Sequence, residues 1–199
     1  MTYHPTRRAM LTSSVAASLG LFASGIRHSA RASASQSLLV ERRTLDVKGR
    51  AASVFGLRQP NGVAGLVLDP GQRFTVDVGN RTAEDTVIHW HGQTPPNVQD
   101  GVTETGSPLI KAGGQQSYDF APRPGTHWMH SHHGLQEQQL LAAPLIVRTA
   151  EDVRTDIQEV VVLLHDFSFR EPGELFKQVT GAGMNMGQGP SRPPSLRVP

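Results

Sequence analysis

The chain contains no cysteine. That absence excludes disulfides within it and any metal site built on a thiolate ligand. Aromatic residues are sparse, at 6% of 199 residues. No apolar run is long enough to span a bilayer. Acidic residues are missing from residues 1–34, which hold Arg7, Arg8, Arg27 and Arg31. The remainder carries 15 basic and 17 acidic residues, so a net charge of +2 becomes about −2. Nucleic-acid-binding domains concentrate positive charge on one face, and this balance argues against such a partner.

Glycine (20) and proline (14) are frequent, which favours a turn-rich β protein. The length suits one domain with a real core. Residues 1–34 read as an export signal. Thr6-Arg7-Arg8-Ala9-Met10-Leu11 resembles the twin-arginine motif, an apolar stretch runs from Val15 to Ala23, and small residues offer cleavage after Ala32 or Ala34. The alternative is a disordered basic N-terminus. Export implies the periplasm, and the twin-arginine route carries folded proteins.

Strands are expected at Leu38 to Val47 and Ser53 to Arg58, followed by an Asp69-Pro70-Gly71 turn. Phe74, Val76 and Val78 alternate with Thr75 and Asp77, the period of a half-buried strand. Thr86 to His91, Gln116 to Ala121, Thr126 to His132, Leu140 to Arg148 and Ile157 to Phe169 complete the set. Thr94 to Gly114 reads as loop, and Leu135 to Leu141 as one short helical piece. Several short strands between turn signals argue a sandwich or barrel. Residues 35–170 then form one domain, and residues 171–199, containing Gly, Pro and Met, read as a disordered tail.

Six of the nine histidines fall between His89 and His133. His89-Trp90-His91 and His130-Ser131-His132 each repeat histidine at i, i+2. On a strand those positions share a face. Two such strands side by side present four imidazole nitrogens to one small volume, which suits copper or zinc. A lone His-x-His is short enough to be an ordinary surface or core pair, but two with matching spacing argue otherwise. Zinc hydrolases also use His-x-His, and one large class needs Asp two residues on. Here Gly92-Gln93-Thr94 follow His91, and Asp100 is the one close acid for a general base.

His89-Trp90-His91-Gly92, Asp100-Gly101, the run from Gly125 to His132, and Pro144-Leu145-Ile146-Val147 resemble the N-terminal cupredoxin domain of multicopper oxidases. This group includes laccases and periplasmic copper-resistance oxidases. The resemblance covers Leu39 to Phe169. It implies an all-β, cupredoxin-like Greek-key β-sandwich with copper as cofactor. It implies that His89 is a ligand of type 2 copper and that His91, His130 and His132 are ligands of the type 3 pair. Asp100 matches an acid near the trinuclear cluster that helps move protons to reduced oxygen. Trp90 and Trp128 pack around the ligands. His127 and His133 leave the ligand face, and His165 reads as a hydrogen-bonded core histidine.

The chain carries only half the histidines of such a cluster, and lacks the His-Cys-His strand of the type 1 site. The expected function is therefore half of an oxidase: it supplies part of the site where dioxygen is reduced while a small reductant or Cu(I) is oxidised, once a second cupredoxin domain completes it. The alternative is a non-catalytic periplasmic copper-binding module. Truncation is the preferred explanation at this stage. Met184-Asn185-Met186 resembles the start of a Met-rich linker, and the Arg/Pro-rich end from Gly189 to Pro199 would be the scar.

Overall fold

The computed structural model describes residues 35–155 and 157–181. The export segment and the end of the tail lie outside the described residues. Eight strands form two four-stranded sheets. The first comprises β1 (Gln36–Val47), β2 (Arg50–Arg58), β4 (Phe74–Asn80) and β6 (Gln115–Phe120), in the order β2-β1-β4-β6. The second comprises β3 (Leu66–Leu68), β5 (Ile88–His91), β7 (Gly125–Ser131) and β8 (Ala142–Val147), in the order β3-β8-β7-β5.

The pairs β1/β4 and β3/β8 are parallel and the others antiparallel. Parallel neighbours require crossovers, so the chain wraps around the two sheets as a Greek key. This is the cupredoxin-like β-sandwich expected. A two-residue turn, Lys48-Gly49, joins β1 to β2 with both residues at positive φ (53° and 79°). That backbone twist matches the right-handed twist of the strands it links.

Alternation fills the space between the sheets. Phe74, Val76 and Val78 of β4 point inward, as their period predicts, and meet Trp90, Met129, Leu145 and Val147 from the other sheet. Phe74 stacks on Phe120 at 4.5 Å between centroids. Trp90 reaches across the sandwich, edge-on to Phe74 at 4.7 Å and Tyr118 at 4.8 Å. Its indole N–H donates to the Gln99 carbonyl at 2.8 Å, so burial leaves no orphaned donor.

Two expectations need correction. Ile157 to Phe169 was expected as a strand. Residues 157–168 instead run without regular structure, with Ile157 73% and Leu164 87% exposed. β-Branched composition favours a pleated, half-buried surface, but a strand also needs a ladder partner, and none is present among the described residues. Residues 171–181 were expected to be disordered, yet Pro172–Gly181 forms a helix, α2. Pro172 occupies its first position, where a missing N–H costs nothing. Leu175, Phe176 and Val179 recur at helical rather than strand spacing. A shorter helix, α1 (Ala150–Thr155), follows β8, with the Thr149 side chain and Asp152 closing its start. β3 also escaped the sequence reading, because three residues are too few to show a period. The short helical piece is a 3-10 turn at Glu137–Gln139.

Candidate metal centre

β5 and β7 lie side by side in one register. His89 faces His130, Trp90 faces Met129, and His91 faces Trp128. Inward and outward residues alternate. Ile88, Trp90 and Met129 enter the core, while His89, His91, Trp128 and His130 point out of the sandwich. Beyond β7, the His132 amide donates to the Val87 carbonyl at 3.3 Å, which continues the pairing and brings a fourth ring to the same face.

The four rings form one cluster. Centroids of His89 lie 5.6 Å from His91, 5.5 Å from His130 and 5.1 Å from His132. His130 lies 5.5 Å from His91 and 5.1 Å from His132. In His89, His91 and His130, one ring nitrogen of each falls within 4.8 Å of the others. The i, i+2 expectation therefore holds for placement: both pairs meet on one outward surface.

The hydrogen bonds around the rings assign their tautomers. His89 Nδ1 lies 2.7 Å from the Asp100 carbonyl, so it carries the proton and donates. Its Nε2 keeps a lone pair. His130 Nδ1 bonds the Ser131 carbonyl at 3.3 Å, with the Glu137 carboxylate 3.1 Å from the same nitrogen, which leaves Nε2 as its free lone pair. That Nε2 sits 3.4 Å from His91 Nδ1. With the His130 proton on Nδ1, its Nε2 is the acceptor of this contact and His91 Nδ1 the donor. Burial pushes the His130 imidazole below the usual histidine range, and the nearby Glu137 charge opposes this only in part. His130 is thus neutral, the state a metal requires. Trp128 stacks on it at 4.0 Å and 12°, fixing the ring plane.

Asp100 enters through its backbone as much as its side chain. Its carboxylate lies 3.7 Å from His89 Nδ1 and is 24% exposed. Gly101 lets this loop lie on β5. A Cβ there would come within 1.8 Å of the Ile88 carbonyl oxygen, and φ is +79°. Ser107 pins the loop, accepting from the Gly101 amide and donating to the Asn97 carbonyl, both at 2.8 Å.

The other histidines stay apart. His127 Nε2 faces the Arg123 and Pro124 carbonyls at 3.1 and 3.3 Å. His133 donates its amide to Ser131 Oγ and adds no ring to the cluster. His165 corrects the sequence reading: it is exposed, within residues 157–168 rather than in a core strand.

Sequence reasoning missed Gln136 and Glu137. Gln136 is 2% exposed. Its Oε1 accepts from Thr86 Oγ1 and Ser131 Oγ at 2.8 Å, and its Nε2 donates to the Asp85 carbonyl at 2.8 Å. Ser131, the last residue of β7, separates His130 from His132, so this network holds the end of the strand between them. The available signal was the polar run Gln136-Glu137-Gln138-Gln139 set between Leu135 and Leu140.

The donor set fits copper: four imidazoles, no thiolate, and ring tautomers held by outer hydrogen bonds. Comparison with known proteins agrees. A family model described as multicopper oxidase matches residues 42–152. Copper resistance protein A of Escherichia coli is 32% identical over 182 residues, spanning 86% of this chain and 30% of that protein. Multicopper oxidase MmcO of Mycobacterium tuberculosis is 34% identical over 114 residues, 55% of this chain and 22% of that protein. The multicopper oxidase McoA of Aquifex aeolicus superposes with a TM-score of 0.52 at 29% identity, covering 60% of this chain and 28% of that one. The chain spans less than a third of the length of these relatives, and it belongs to the multicopper oxidase family.

Proposed function

We propose that the outward face of β5 and β7 supplies half of the ligands of a trinuclear copper cluster. His89 would serve the type 2 copper, and His91, His130 and His132 the type 3 pair. Copper is the cofactor of the family. A second cupredoxin domain would provide the remaining ligands. The observation that carries this reading is the convergence of two His-x-His pairs on one outward face, with the Nδ1 groups of His89 and His130 bonded from behind to the Asp100 and Ser131 carbonyls.

Bound copper would reduce dioxygen to water with electrons from a small reductant or Cu(I). The chain's own part is to hold and orient. The Asp100 carbonyl keeps the His89 Nδ1 proton in place, and Trp128 holds the plane of His130. The Asp100 carboxylate, next to His89 and partly open to solvent, is suited to pass protons toward the site. A second reading, a non-catalytic copper-binding module, is favoured by one observation: no cysteine exists in the 199 residues to ligate a type 1 copper.

The test is a titration of the chain with Cu(II), recording the visible spectrum and oxygen uptake. Copper is expected to bind and to weaken as pH falls, because protons compete for the same nitrogens. The intense band of thiolate-to-copper charge transfer should be absent. Oxidation of a phenol or Cu(I) should be no faster than free copper achieves. An intense blue colour, or sustained oxygen consumption by this chain alone, would overturn the half-cluster reading.

Residues 1–34 fall outside the described residues. We propose that they send the folded chain to the periplasm by the twin-arginine route, which leaves residues 35–170 as the cupredoxin domain. Among the described residues no helix is long and apolar enough to cross a membrane. Replacing Arg7 and Arg8 with lysine should retain the protein in the cytoplasm. Fractionation that finds unchanged periplasmic yield counts against the signal.

A further inference from the structure

Of the four clustered histidines, His130 alone is buried, at 4% exposure. A ring so enclosed cannot turn to water for a partner, so its neighbours decide where its proton sits. On its inner side the Ser131 carbonyl accepts from Nδ1 at 3.3 Å, and the Glu137 carboxylate stands 3.1 Å from the same atom as a charge. A negative charge that close to Nδ1 favours the proton on that nitrogen.

The position of Glu137 is itself built. It opens the 3-10 turn that follows the buried Gln136, whose side chain is bonded to Thr86, Ser131 and the Asp85 carbonyl. The Leu140 amide closes the turn onto the Glu137 carbonyl at 2.8 Å. Leu140 holds a left-handed conformation, φ 67°, unusual for a residue with a side chain. That side chain is 5% exposed, packed with Ala52 and Val54, and its burial offsets the backbone cost. The strand turn, the amide network and the packed leucine together present the carboxylate to the imidazole.

We propose that Glu137 is the positioning residue for His130. Its charge, 3.1 Å from Nδ1, favours the proton there beside the Ser131 carbonyl that accepts it, and so favours the tautomer whose lone pair is on Nε2 and makes that lone pair a stronger donor. This rests on the reading of His130 as a copper ligand. Glu137 is 38% exposed and could be a surface carboxylate of no consequence, since exposed pairs contribute little. The difference here is that the imidazole is enclosed, at 4% exposure. It is stacked on Trp128 and faces His91 Nδ1 on its other side.

The experiment compares the 199-residue wild type with Glu137→Ala, Glu137→Gln and, as a distant control, Asp119→Asn. Asp119 lies on β6 and pairs with Arg73. The first readout is nitrogen NMR of histidine rings in the metal-free protein. Wild type should keep His130 protonated at Nδ1, and Glu137→Gln, which keeps the shape and loses the charge, should lie between wild type and Glu137→Ala. Glu137→Ala should move protonation toward Nε2. The second readout is Cu(II) affinity by competition with a chelator. Glu137→Ala should weaken binding by about 10–100-fold, the usual effect of losing an outer partner of a ligating histidine. Glu137→Gln should fall between, Asp119→Asn should match wild type, and unfolding midpoints should stay together. Unchanged tautomer and affinity in Glu137→Ala would overturn the proposal. So would a lowered unfolding midpoint that accounts for the loss without rescue by Gln. If wild type binds no copper, the copper reading fails, and the metal-free tautomer still decides the role of Glu137.

Discussion

Replacing His89 and His130 together with alanine should all but abolish copper binding. The two rings stand opposite each other in the β5/β7 register, so the double change removes one ligand from each pair. Losing an outer partner of a ligating histidine costs about 10–100-fold in affinity, and losing two of the four rings themselves should cost more than that. Isothermal titration or chelator competition measures it. His165→Ala is the control, because that ring is exposed and outside the cluster. Equal losses in the control and the double variant would remove the four histidines from the site. The fold should survive, since both replaced side chains point away from the space between the sheets.

Gly101→Ala should be as damaging by the opposite route, through backbone rather than ligand. The added methyl would meet the Ile88 carbonyl oxygen at 1.8 Å and the His89 Cα at 2.7 Å. Neither is the end of a flexible side chain, so the loop has to lift off β5. Positive φ adds about 1 kcal/mol of strain, and the displaced contacts bring the expected cost to about 4 kcal/mol. Urea unfolding reads this as a lowered midpoint. The Asp100 carbonyl moves with the loop, so His89 loses its proton acceptor and copper affinity falls too. A variant with wild-type midpoint and affinity would show that the loop does not seat the ligand.

How far these features were legible in the sequence depends on the distance over which each is encoded. The strand parity of Phe74, Val76 and Val78 and of the His-x-His pairs is local, and it survived into the structure. The convergence of His89 with His130 needed only the pairing of two strands. Ile157 to Phe169 failed because its apolar, β-branched composition says nothing of a ladder partner. α2 failed because the loss of a two-residue period at Arg170 was taken for disorder, while Leu175, Phe176 and Val179 already carried a helical one. Glu137 and Gln136 were invisible for another reason. Their roles arise from a turn that folds back on β7 and from a buried network with Thr86 and Ser131, contacts that no spacing rule reports. Gly101 could be matched by resemblance, but its necessity comes from the 1.8 Å approach to β5.

The alternation along β5 and β7 separates two kinds of selection on adjacent residues. Inward positions such as Trp90 and Met129 answer to volume and shape. Outward positions such as His89 and His130 answer to coordination. A lineage can therefore drift at one set while the other stays constant, and it can lose every histidine of the outer face while keeping a packed sandwich. Descendants with the same barrel-like wrap and no metal would then be the natural residue of such history: a scaffold that outlasts the chemistry once mounted on it.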